Sequence, residues 1–259
     1  MKNITLEICA GSLEDCLCAW ENGIDRVELN ADLSAGGLTP TAATLRLAKK
    51  KTGLKIICMD RPRPGGFCYT LAETEVMMED ARILLENGAD GIAFGFLNED
   101  KTIDRQKTKA MADLILSFHA EPFFHRAFDL TPDPLQAAVL LEQLGIRRIL
   151  TSGTGETALQ GVPVLARLHK TVSDRTEILP GCGVNAGNLQ TILAQTGCRQ
   201  AHASCRVFRK DRAFDSGQVD FSAESGSLHG QTGFADPAKI QALVQAAETF
   251  EPKKQKAEH

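Results

Sequence analysis

Residues 21–30 read ENGIDRVELN, and the same grammar returns three times, as ENGADGIAFGF from Glu86, QLGIRRILTSG from Gln143 and QTGCRQAHASC from Gln195. Each copy is the tail of a helix, then a glycine (Gly23, Gly88, Gly145, Gly197), then a short run with strand character. Glycine just past a helix supplies the left-handed residue that ends it. The glycines recur at intervals of about 50 to 65 residues, roughly twice the length of one βα unit. The strands that this repeat skips lie midway, in ITLEIC from Ile4, LKIICMDRP from Leu54, EPFFHR from Glu121 and EILPG from Glu177. Strands alternating with helices predict a parallel sheet. Eight such units predict closure into a (β/α)8 TIM barrel, one domain over residues 1–259. No GxGxxG follows the first strand, which argues against an open dinucleotide-binding sheet.

Proline and polar residues punctuate the helices. Thr39-Pro40 and Thr131-Pro132-Asp133-Pro134 each read as a helix start, and Asn185 reads as the N-cap of AGNLQTILAQ. Residues 206–235 break the rhythm with a polar, Gly/Ser-rich stretch expected to be a long loop. A helical pattern, DPAKIQALVQAAETF, and a charged tail, EPKKQKAEH, follow it.

Composition narrows the class. The chain is 43% hydrophobic and 24% charged, with a net charge of −4 and no concentrated basic stripe, so nucleic acid is not an expected partner. No run approaches the roughly 20 apolar residues of a membrane helix. The start, Met1-Lys2-Asn3, leads straight into a strand with no apolar leader, so a cytoplasmic location is expected. The eight cysteines show no CxxC pair and are read as reduced thiols.

Alternation along the strands separates two faces. Ile4, Leu6 and Ile8 form an apolar row against Thr5, Glu7 and Cys9; Val27 and Leu29 alternate with Arg26, Glu28 and Asn30. The apolar rows should meet the helices, which sends Glu7 and Glu28 into the barrel. FFHRAFD, residues 123–129, then places an imidazole, a guanidinium and a carboxylate at the end of the fifth strand. In this fold that end is the one that carries active sites. Glu7, Glu28, Arg61, Arg63, His125, Arg126, Asp129, Thr151, Ser152 and His202 are all expected there. Glu7, Glu28, Arg61, His125, Arg126 and Asp129 are the candidate catalytic groups. Arg63, Thr151, Ser152, His202 and the glycines of PGCGV, Gly181 and Gly183, are candidates for holding a ligand. Buried carboxylates need partners, and Arg61, Arg63 and Arg126 are the cations on offer. Three arginines beside Gly-rich turns favour a small anionic ligand. Lys55 opens its strand at the opposite rim, which disfavours Schiff-base chemistry.

At LEIC, DRVELN…GGLTP, RPRPGGFCYT, FFHRAFD, RRILTSG and LPGCGV the sequence resembles the CutC family, in the family's order, from about residue 6 to residue 205. The resemblance implies a cytoplasmic (β/α)8 barrel that forms homo-oligomers and is linked by name to copper homeostasis. It also implies a Cu(I) site at a pair of strand-end cysteines. Cys9 matches the first of them and is the candidate metal ligand; Asn30 stands where relatives carry the second. An enzyme acting on a small anionic metabolite by acid–base chemistry is the alternative reading. A second departure is Asp60, at a position usually apolar, before RPRPGG.

Overall fold

The computed structural model describes residues 4–212, 220, 222 and 225–251. Eight parallel strands alternate with helices in chain order: β1 (Thr5–Ala10), α1 (Leu13–Glu21), β2 (Arg26–Leu29), α2 (Ala42–Lys51), β3 (Lys55–Met59), α3 (Leu71–Glu86), β4 (Gly91–Phe94) and α4 (Arg105–Ser117). The second half continues with β5 (Glu121–Phe124), α5 (Pro134–Gln143), β6 (Arg148–Thr151), α6 (Val162–Thr171), β7 (Glu177–Pro180), α7 (Leu189–Thr196) and β8 (Gln200–Ala203). The strand order β7-β6-β5-β4-β3-β2-β1-β8 wraps the sheet around, with β8 returning beside β1. At the seam between β7 and β8 the Gln200 amide reaches the Ile178 carbonyl at 3.5 Å. The fold is the expected (β/α)8 barrel.

The four repeat glycines do what their position predicts. Gly23, Gly88, Gly145 and Gly197 have φ between +81° and +93°, a backbone region that only glycine enters without steric cost. Asp133 caps α5 with Pro134 in its first turn, and Thr41 caps α2 just after Pro40. The cap of α7 differs from expectation. Asn188 precedes the helix, while Asn185 accepts the Gly187 N–H in a preceding turn, because the intervening glycine favours a turn over a helical start.

The outward row of each strand packs against the helices, where Ile8, Val27, Leu29, Ile56, Cys58, Ile92 and Phe94 lie fully buried. The inward faces hold a small apolar plug of Ile57, Ala93 and Phe123. Buried polar side chains, among them Glu7, Arg26 and His202, share that interior with it.

The 206–235 segment is more ordered at its ends than a loop. β9 (Arg206–Lys210) pairs antiparallel with β10 (Gln231–Ala235), and α8 (Pro237–Glu248) follows. This ribbon is tied to α1, because Asp15 accepts the Ala235 N–H at 2.7 Å and Cys18 Sγ donates to the Ala235 carbonyl at 3.5 Å. The middle of the segment and the charged tail lie outside the described residues. Among the described residues no helix is long and apolar enough to cross a membrane.

Candidate metal centre

Strand register builds the interior polar cluster. Glu7 on β1 sits opposite Arg26 on β2 and His202 on β8, and one step up Cys9 sits opposite Glu28. Side chains at these positions alternate inward together, so one ring of the barrel interior holds Arg26, Glu7 and His202, and the next holds Cys9 and Glu28.

Glu7 is the hub. Its Oε2 receives Arg26 Nε at 2.6 Å and its Oε1 lies 2.8 Å from His202 Nδ1, with Glu7 only 1% exposed. Burial opposes its charge, yet the Arg26 guanidinium and the His202 hydrogen bond outweigh burial and hold the carboxyl down at about 2. Arg26 also donates to Gln200 Oε1 at 2.8 Å. His202 responds in the opposite direction. Burial disfavours its charge, but contacts with Cys9, Glu7 and Glu28 raise it well above the ordinary imidazole range.

Above this pair the donors converge. Cys9 Sγ, a Glu28 carboxylate oxygen and a His202 ring nitrogen all lie within 4.8 Å of one another. His202 Nε2 is 4.0 Å from Glu28 Oε2, and Cys9 Sγ is 3.9 Å from the same oxygen. Asn30 closes the group, its Nδ2 donating to Glu28 Oε2 at 3.1 Å and to Cys9 Sγ at 3.6 Å. Burial pushes both the Glu28 carboxyl and the Cys9 thiol above their ordinary values. Gly181 lets the end of β7 approach this wall: a Cβ there would stand 2.5 Å from Leu150 Cδ1 and 3.4 Å from His202 Cβ.

The donor set fits a transition-metal ion of mixed preference. One thiolate, one imidazole and one carboxylate are ligands that zinc and copper both accept. Glu7 supplies what such a site needs behind the histidine, a carboxylate on the far ring nitrogen that fixes the tautomer. The second soft ligand is absent, because Asn30 offers an amide where a thiol would stand.

The other expected site residues form separate groups. Arg61 is buried and donates to three backbone carbonyls, Ala35 and Gly37 through Nη1 and Gly65 through Nη2. Arg63 pairs with Glu73 at the start of α3, outside the barrel. Arg126 pairs with Asp129 at 2.9 Å. Asp129 in turn accepts the Thr151 hydroxyl and the Ser152 N–H, fastening the β6 loop. None of these arginines serves Glu7 or Glu28, so the partner expected for those carboxylates is corrected to Arg26, with His202. Gly183 takes φ +72° in a turn whose carbonyl receives the Asn185 and Asn188 amides, which orders the loop itself. His125 is 3% exposed; its Nδ1 accepts the Ala127 N–H at 3.1 Å, and its Nε2 has no hydrogen-bond partner. It packs on Phe67, with ring centroids 4.9 Å apart.

Arg26, Gln200 and Asn30 are the members of the cluster that sequence reasoning did not select. Their signal was present, since Arg26 and Asn30 flank Glu28 on the same alternating row. All eight cysteines are free, and among the described residues only Cys9 joins the donors. Cys58 faces the helix layer.

Fold and site together define a (β/α)8 barrel with a partly buried Cys–Glu–His donor cluster at the C-terminal mouth. The CutC family pattern matches residues 4–207, and the chain belongs to the CutC family. It is 46% identical over 211 residues to a family protein CutC of Treponema denticola, covering 82% of this chain and 85% of that one. It is 36% identical over 239 residues to the human copper homeostasis protein cutC homolog, covering 92% and 87%. A crystal structure bearing the CutC name, from Streptococcus agalactiae, superposes with a TM-score of 0.73 at 32% identity, over 77% of this chain and 97% of that one. Likeness to a thiamine phosphate pyrophosphorylase from Pyrococcus furiosus, at 12% identity and a TM-score of 0.56, shows the shared fold alone.

Proposed function

We propose that this chain acts in copper homeostasis by holding a copper ion at the mouth of its barrel. The ligands are Cys9, Glu28 and His202, and the observation that carries the reading is the convergence of their donor atoms within 4.8 Å. The names of the human and streptococcal relatives support the choice of copper over other ions of similar preference. The ion is cargo, and each residue has a part in holding it. Cys9 supplies the single soft donor. Glu28 supplies a hard, anionic one. His202 presents Nε2 because Glu7 occupies Nδ1, and Arg26 keeps Glu7 ionised beneath it. Capture displaces protons, since a thiol and an imidazolium both ligate only after losing one. With one thiol instead of two, the site is tuned away from tight Cu(I) retention and toward exchange. The reading also places the protein in the cytoplasm, where the thiol stays reduced.

The test is a competition titration of purified, reduced protein with a Cu(I) chelator, repeated with Cys9→Ser and His202→Gln. Stoichiometric binding that weakens at least tenfold in each variant supports the site. Binding that is indifferent to both variants moves the copper elsewhere.

A further inference from the structure

The arginines expected to hold an anion at the C-terminal mouth are all engaged by the protein. Arginines without a partner lie at the other end of the barrel. There a cavity of about 480 Å³ opens between the α4–β5, α5–β6 and α6–β7 connections, with Arg147, Arg148 and Arg175 in its wall. Arg147 and Arg175 are exposed, and among the described residues neither guanidinium has a hydrogen bond or ion pair. Arg148 forms the floor and is 6% exposed, and its Nη1 has no hydrogen-bond partner.

The carboxylates of the cavity are largely spent. Glu177 takes Arg148 through Nε at 3.1 Å and Nη2 at 2.5 Å. Glu121 takes Lys55 and lies 3.6 Å from Arg148 Nη1. Asp174 alone of the lining carboxylates lacks a cationic partner among the described residues. Two unpartnered guanidinia and one unpartnered carboxylate therefore line the cavity, with a third arginine, Arg148, buried in its floor. Arg148 is held rigid as well, its guanidinium 4.2 Å from the centre of the Phe123 ring.

We infer that this N-terminal cavity is a second ligand site, for the phosphate monoester of a small metabolite. Two planar guanidinium forks suit the oxygens of one phosphate. With Glu177 taken by Arg148 and Glu121 by Lys55, the two free guanidinia outnumber Asp174 and bias the opening toward such an anion. The volume exceeds a bare phosphate, leaving room for a small organic group beside the remaining polar wall. Active sites of this fold occupy the opposite end, so a ligand here is regulatory or structural rather than a reactant. The inference does not depend on copper at the mouth.

Isothermal titration of the full chain with inorganic phosphate, at ionic strength matched with chloride, tests it. The expected result is saturable one-site binding that weakens at least tenfold in Arg175→Ala and in Arg147→Ala/Arg175→Ala, and is unchanged in Arg126→Ala at the mouth. Both targeted side chains are exposed, and a melting curve on each variant confirms that it is folded. Absence of saturable binding overturns the inference. So does binding that survives the double variant, or binding that Arg126→Ala removes.

Discussion

His202 Nδ1 lies 2.8 Å from Glu7 Oε1, and this bond decides which face of the imidazole the barrel mouth sees. With Nδ1 committed to Glu7, only Nε2 is free to meet Glu28 and Cys9. A carboxylate behind a ligating histidine typically changes metal affinity 10- to 100-fold. Glu7→Gln should therefore weaken copper binding by about that factor while leaving all three proposed ligands in place. Chelator competition on the variant measures it.

The bond beneath it is structural. Arg26 and Glu7 are 5% and 1% exposed at their side chains and 2.6 Å apart. Removing one partner of a buried pair leaves a charge without compensation, at a cost of about 3–5 kcal/mol. Arg26→Met should show that loss in urea unfolding. Glu7→Leu/Arg26→Met should recover part of it, because the orphaned charge is gone.

Much of this interior was legible before the fold was seen. Alternation along β1 and β2 sent Glu7, Cys9 and Glu28 inward, and periodic glycines counted the strands. Arg26 lay on the same row but at the opposite end of its strand from the expected mouth, so its pairing became visible only through the Glu7–Arg26 register. Arg61 misled for a different reason. Its partners are carbonyls of Ala35, Gly37 and Gly65, and a backbone acceptor leaves no mark in a sequence. The β9–β10 ribbon was read as loop because its strands pair across a 20-residue gap, and each is short and polar.

His125 gives the protein an acid-sensitive point. Burial, helped by the Arg61 charge, draws its pKa from 6.5 to about 3. Between those values the unfolded chain takes up a proton that the folded chain refuses. Stability should thus be complete above about pH 6.5 and fall as pH drops toward 3, by at most about 1.4 kcal/mol per pH unit from this group. His125→Gln should flatten that part of the profile in denaturant melts at pH 7, 6, 5 and 4.

Asp60 acts in the other direction. It is 0% exposed, and neither carboxyl oxygen has a hydrogen-bond partner. Burial first, then neighbouring Asp80, raise its pKa well above 3.8. A carboxyl that stays protonated when folded but ionises when unfolded loses stability as pH rises above the unfolded value. Asp60→Leu should stabilise the protein by about 1–3 kcal/mol at pH 7–8, with a smaller gain at pH 4. Thermal melts at the two pH values compare them.

Asn30 stands beside two of the proposed ligands. Its amide holds Glu28 and Cys9 but adds no soft donor. Asn30→Cys should tighten Cu(I) binding by at least an order of magnitude, read by the same chelator competition. No tightening would mean that the ends of β1 and β2 do not contact the ion.

The coordination shell itself is the most direct measurement. X-ray absorption at the copper edge of reduced protein loaded with one equivalent should show one sulfur neighbour together with nitrogen or oxygen neighbours, the sulfur disappearing in Cys9→Ser. A shell of two or more sulfurs, or one that keeps its sulfur in Cys9→Ser, would contradict a centre built from Cys9, Glu28 and His202.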